Sequence, residues 1–599
     1  MSPYVHALLG LSLACRALSA VTAQRPRALV GRAEPCDNTA TSRRCWGKYS
    51  IDTDWFEVTP DTGNTREYWI TAEETIMAPD GFQRPVMVFN GSIPGPTIEA
   101  DWGDNLVIHV TNNLKNNGYV KRLDTAIHWH GIRQKGSIAH DGVPGVTQCP
   151  IVPGNTMTYR FRATQYGTAW YHSHFSLQLA EGLFGPIVIH GPATADYDVD
   201  VGPVMIMDWP HVTAWETWET YQHRVALVQP VAANGLINGM NPYDCSKSPD
   251  PACAGNKTAR FEVGFEKGRK YRFRVIGAQS DGYMKFAIDG HKLTVIAADL
   301  VPIRPYQADS VILASGQRYD VVVEAGQAVG NYWLRAIYQT ACNNNDNDNK
   351  DNILGIVRYA GAAAAPESEP TTTVNPAITN SCGDEPSESL VPWVAHEVGG
   401  ADVRDTIGVG WYYQLDLVFK WTLHSKSLVV NWSEPTLLGV SERGLSKASF
   451  PSESNVIFLD TADQWVYWVI QDIGLVNAYH PLHLHGHDLY VLAQGRGAFL
   501  PGVVKLNTEN PPRRDTVTLH GNGYTVIAFK TDNPGAWLFH CHIAWHASQG
   551  LAMQVIERAS EVPGLLESDA AEMNRTCRDW TPFYHSPGQE DDKQDDSGI

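Results

Sequence analysis

Residues 533–546 read NPGAWLFHCHIAWH. On an extended strand successive side chains alternate between faces, so His540 and His542 point to one side and Cys541 to the other. Upstream, HPLHLHGHD at 480–488 supplies His480 and then the pair His483 and His485. Two more His-x-His pairs stand near the other end of the chain, His128 with His130 and His172 with His174. With 22 histidines in 599 residues, about one such pair would arise by chance. Four separated pairs need another cause. Their eight imidazoles overfill a four-ligand zinc site and suit a cluster of several metals. Cys541, His480 and His546 make a second set, two imidazoles and a thiolate, which is the ligand set of a blue-copper electron-transfer site. Strand alternation wires the two: Cys541 holds one metal while its neighbours His540 and His542 reach the cluster behind it. Leu551, five residues past His546, falls at the axial position; a hydrocarbon donates no electrons there, so a high potential is expected. Met553, His487, His140 and His291 read as structural.

Outward from these motifs, short Val/Ile/Thr/Tyr-rich runs such as Asn105–Thr111, Thr294–Ala298 and Tyr319–Glu324 recur between Gly, Pro, Asn and Asp clusters. The texture is all-β, with sandwich or barrel domains. Three β-rich segments are predicted, 33–191, 192–360 and 391–558, with a linker at 361–390 rich in Ala, Pro, Glu and Thr and a polar extension at 559–599. The first and third segments each carry two histidine clusters, which hints at related domains. Residues 1–23 read as a secretory signal and 24–32 as a propeptide, so the chain is expected to be extracellular. The net charge of −19 argues against nucleic acid and anionic membranes as partners, and no stretch is long and apolar enough to span a bilayer. Sequons at Asn90, Asn256, Asn431 and Asn574 fit secretion. Of ten cysteines, Cys15 leaves with the signal and Cys541 goes to metal. The remaining eight suit four disulfides, with local loops at Cys36–Cys45 and Cys245–Cys253 and the other two pairs open.

At IHWHGI (127–132), WYHSHF (170–175), HPLHLHGHD (480–488) and the 533–546 run, the chain resembles the multicopper oxidase family, and most of all the laccases of filamentous ascomycete fungi. The resemblance covers nearly the whole mature chain. It implies three consecutive cupredoxin-like Greek-key β-sandwich domains and four coppers. The type 1 copper would take His480, Cys541 and His546 beside Leu551; the type 2 copper, His128 and His483. One type 3 copper would take His130, His172 and His542, and the other His174, His485 and His540. The resemblance also pairs Cys149 with Cys577 and Cys342 with Cys382. It places Asp281 as the carboxylate that takes a phenol's proton and Asp141 as the one that helps deliver protons to oxygen. An acidic residue found in some relatives two positions after His542 is Ala544 here. The final Asp596-Ser597-Gly598-Ile599 matches a tail that turns back as a channel plug, ending at Ile599. The implied activity is that of a monomer. A phenol or aromatic amine docks near His480 and Asp281 and gives up one electron, and four such events reduce O2 to water. A dedicated phenol-coupling oxidase of pigment or secondary-metabolite biosynthesis is the alternative with the same coppers.

Overall fold

The computed structural model describes residues 36–599 except 116–121, 223–229, 254–257, 343–345, 364–368, 416, 445, 447–448, 473, 475 and 587–593. The signal, the propeptide and the sequon at Asn256 lie outside the described residues. Asn90, Asn431 and Asn574 are exposed.

Three β-sandwiches follow one another along the chain. In the first, a four-stranded sheet (84–89, 65–77, 105–112, 156–162) faces another (98–101, 184–190, 167–173, 127–130). The second and third sandwiches each pair a six-stranded with a five-stranded sheet, and their strand orders match strand for strand. The first sandwich follows the same order with fewer strands. The strands are built as their composition requires. Ile70 and Ala72, or Val321 and Val323, alternate inward, and Trp102, Trp129, Trp468 and Trp537 fill the cores.

The segment between Tyr359 and Val403 has no helix or strand among its described residues, yet it is a fastened strap rather than a free tether. Cys382 is bonded to Cys342, Thr372 donates to Asp289 (2.8 Å), and Asp384 accepts from Gln317 (2.6 Å), Thr518 (2.9 Å) and Gln494 (2.9 Å). Its composition is that of a linker; its side-chain bonds, which composition does not reveal, hold it down. The extension after 558 likewise contains a 15-residue helix, Ala570–Tyr584, that buries Met573, Thr576 and Trp580 and carries Cys577, the partner of Cys149. The other disulfides are Cys36–Cys45 and Cys245–Cys253. No helix among the described residues is long and apolar enough to cross a membrane.

Candidate metal centre

Strand register assembles the site. His128 on strand Ile127–His130 lies opposite His172 on Gly167–Ser173, and His483 on His480–Leu484 lies opposite His540 on Gly535–Cys541. Each ladder, with the residues that run on from its strand ends (His174, His485 and His542), presents four imidazoles to one face, and the first and third domains bring the two faces together. All eight side chains are buried.

Hydrogen bonds to acceptor-only atoms dictate which ring nitrogen of each histidine carries its proton. The Nδ1–H groups of His128, His172, His483 and His540 donate to the backbone oxygens of Asp141, Ser173, Asp515 and Cys541 (2.8–2.9 Å). His485 Nδ1 donates to the Asp141 carboxylate (2.8 Å). His542 Nδ1 donates to Ser315 Oγ (2.9 Å), whose own proton goes to Gln279 O (2.5 Å). His130 is reversed: Nε2 faces Asp515 (3.1 Å) and Nδ1 turns inward. Seven imidazoles are thus left with a bare lone pair aimed at the interior. His172 Nε2 and both nitrogens of His174 have no hydrogen-bond partner among the described residues.

The inward lone pairs meet head on. His128 Nε2 faces His483 Nε2 at 3.5 Å, His130 Nδ1 faces His542 Nε2 at 3.1 Å, and His485 Nε2 faces His540 Nε2 at 3.3 Å. Two acceptors at such distances repel unless a cation lies between them. Metal–nitrogen bonds of roughly 2.0–2.1 Å at a tetrahedral angle set two nitrogens about 3.3 Å apart. Three facing pairs fit three metal ions, with His172 and His174 free to complete two of them. The thiolate site has the same signature. His480 Nδ1 and His546 Nδ1 are 3.1 Å apart, and Cys541 Sγ is 3.7 and 3.6 Å from them. Leu551 is fully buried beside it, its backbone bonded to Cys541 N and to His546 O (both 3.0 Å).

Burial holds the site neutral in the absence of metal. It lowers the imidazoles of His480 and His540 to about 3 and pushes the Cys541 thiol up. Burial, with the charge of neighbouring histidines added, takes His130, His172, His174, His483, His485 and His542 well below the ordinary imidazole value. Ligands that refuse protons are available to a metal.

Asp141 is fully buried and touches two histidines, His128 through its backbone oxygen and His485 through its carboxylate. Asp515, absent from the sequence reading, is its counterpart. It faces His130 through its carboxylate and His483 through its carbonyl, and it is clamped by Arg318 of the second domain (2.6 and 2.7 Å). Burial alone would raise its carboxyl, but the Arg318 guanidinium outweighs that and holds it below the usual carboxylate range. His487 is bonded to Glu557 (2.9 Å) and His291 to Tyr359 (2.7 Å), structural partners in both cases.

Asp281 lines a cavity of ≈ 80 Å³ with Asp208, Pro210, Val212, Tyr338 and Trp545. His480 sits inside strand His480–Leu484 and does not line the cavity, whereas Trp545, adjacent to His546 on the short helix Ala544–Ser548, does. The C-terminus folds back and is buried. Arg122 pairs with Asp595 and Asp596, Ser176 donates to Asp596, Trp432 donates to Gly598 O (2.9 Å), and Ile599 is 2% exposed.

Sequence profiles described as multicopper oxidase match residues 71–194, 200–362 and 429–561. The chain is 50% identical over 571 residues to Laccase-2 of Botryotinia fuckeliana, with 94% of each chain covered. It is 50% identical over 570 residues to oxidoreductase OpS5 of Beauveria bassiana, covering 94% of this chain and 93% of that one. The crystal structure of a laccase from Botrytis aclada superposes with a TM-score of 0.87 at 49% identity, covering 94% of this chain and all of the other. The chain belongs to the multicopper oxidase family. Within that family it is a copper-binding oxidoreductase of the fungal laccase type.

Proposed function

We propose that this protein oxidises small phenols or aromatic amines one electron at a time at the Cys541 site and reduces O2 at the eight-histidine site. The observation that carries the reading is the set of three facing lone-pair pairs lying directly behind a buried two-histidine thiol site. Four coppers follow. One belongs to His480, Cys541 and His546 and one to His128 and His483. The others belong to His130, His172 and His542 and to His174, His485 and His540. Bound copper supplies one-electron acceptance at the first site and four-electron reduction of O2 to water at the cluster.

The chain's own residues do the rest. Trp545 and Pro210 pack against a single aromatic ring, and the Asp281 carboxylate takes the phenol's proton as its electron leaves. Cys541, covalently joined to His540 and His542, spans the two sites. Asp141 holds His485 and stands beside the cluster to pass protons. The tail ending at Ile599 closes the approach on the side of His174, since Ser176 grips Asp596. Four disulfides fit an oxidising, extracellular setting.

A second reading, a dedicated oxidase that couples one biosynthetic phenol, is favoured by a further relative. The dihydrogeodin oxidase of Aspergillus terreus is 40% identical, with 94% of this chain covered. Anaerobic mixing with a simple phenol, followed by air, tests the main reading. The blue colour should bleach and return, with four phenol equivalents consumed per O2. A preparation that folds with zinc alone, or keeps its colour in the presence of phenol, would refute it. Rates on simple phenols far below those on a bulky polyphenol would favour the second reading.

A further inference from the structure

We propose that Asp208 is the positioning residue that holds Asp281 in place over the thiolate site; the inference rests on the reading of Asp281 as proton acceptor. Asp208 is the next-to-last residue of strand Val199–Trp209 and is 6% exposed. Its carboxylate is filled by three consecutive residues of the crossing loop. Oδ1 accepts from Ser280 N and Ser280 Oγ (both 2.8 Å), and Oδ2 accepts from Asp281 N (2.9 Å) and Gly282 N (2.8 Å). A carboxylate has about four acceptor directions, and all four are spent on the segment that carries Asp281.

The same loop is tied to the copper ligands at two further points. Ala544 N, between His542 and His546, donates to Ser280 O (2.9 Å). Ser315 Oγ joins Gln279 O to His542 Nδ1. There is no slack opposite: a Cβ added at Gly282 would meet the Tyr338 ring at 2.5 Å. Asp281 is therefore set by a frame in which Asp208 supplies the bonds on one side and the copper loop those on the other. Asparagine is a poor replacement for Asp208, because in either orientation its amide N–H2 faces backbone N–H donors, that of Ser280 in one and those of Asp281 and Gly282 in the other. Glutamate would displace the loop by a methylene, and a misplacement of about 1 Å at a reacting group costs roughly 100-fold.

The test compares kcat/KM for a simple phenol with that for hexacyanoferrate(II), a donor with no proton to lose, in Asp208→Asn, Asp281→Asn and the double variant. Asp208→Asn should lower the phenol-to-hexacyanoferrate ratio about 10- to 100-fold. The double variant should fall no further than Asp281→Asn, because the two act as one unit. In copper-free protein the amides of 280–282 should lose hydrogen-exchange protection in Asp208→Asn and keep it in Asp281→Asn. Should Asp208→Asn fail to accumulate, Ser280→Ala removes one of the four bonds and should show the same pattern at about 2- to 5-fold. Additive losses, equal loss on both donors, or unchanged exchange at 280–282 would overturn the role of Asp208. An unchanged ratio in Asp281→Asn would instead overturn the reading of Asp281, and the inference with it.

Discussion

Strands Gly167–Ser173, Asn331–Tyr338 and Gly535–Cys541 hold the same place in their three sheets, and so do Ile127–His130, Met284–Ile288 and His480–Leu484. In the first and third domains these two strands bear all eight histidines of the cluster or lead into them. In the second they bear none. The second domain uses the same strand ends differently: Asp281 stands just before Met284 and Tyr338 closes the other strand, and both line the cavity. On the function proposed above, one scaffold thus serves twice as a metal wall and once as a substrate wall. The thiolate site differs from the cluster in a further way. All its ligands come from the third domain, so it needs only that domain's own register, while the cluster needs two domains to meet.

The largest expected effect separates those two demands. Cys541→Ser should abolish the blue colour and lower phenol turnover by more than about 1,000-fold, while copper content falls only from four to three per chain. Metal analysis checks this; loss of all copper would show that the cluster depends on the thiolate site. Asp141→Ala attacks the other side of the comparison. It frees His485, a third-domain ligand held by a first-domain carboxylate, and should weaken cluster copper by about 10- to 100-fold with the blue band retained. Bleaching of the blue band in that variant would mean that the sites are not separable.

Acid should find the same seam. Burial first, then neighbouring histidines, lowers these imidazoles in the folded state. Below about pH 6.5 the unfolded chain binds protons that the folded chain refuses. Each such histidine then removes about 1.4 kcal/mol of stability per pH unit. Copper-free protein should lose stability steeply as pH falls from about 6.5, and copper should move the onset to lower pH. Urea midpoints measured across that range check it, and parallel curves with and without copper would contradict it. Hydrogen exchange should show strands Gly167–Ser173 and Gly535–Cys541 opening before Asn331–Tyr338.

The clusters were legible in the sequence because strand alternation is a local rule: His540, Cys541 and His542 declare their faces without reference to any other residue. Sandwich texture and the repeated histidine clusters were legible for the same reason. What lay hidden depends on distant packing. Asp515 reaches His130 across 385 positions and Ser315 reaches His542 across 227, and neither carries a motif. Asp208 is 73 positions from Asp281 and looks like any aspartate at a strand end. Helix Ala570–Tyr584 was not legible, since its composition is that of a polar extension and its buried side reduces to Met573, Thr576 and Trp580.

The smallest effect tests the boundary of the comparison, because the second domain is not wholly absent from the cluster. Ser315 belongs to it, and its hydroxyl receives the His542 Nδ1 proton while donating its own to Gln279 O. That chain fixes the tautomer that leaves His542 Nε2 bare toward His130. Removing the hydroxyl in Ser315→Ala leaves Nδ1–H without its acceptor at a buried site, a cost of about 1–3 kcal/mol shared between ligand orientation and stability. Nδ1 keeps its proton, since Nε2 is committed to metal, so copper binding should weaken only about 5-fold while phenol oxidation falls by a similar factor. Ser315→Thr keeps the hydroxyl and should restore both. A loss as large as that of Asp141→Ala would place the second domain among the true walls of the cluster. No loss at all would leave it a substrate wall alone.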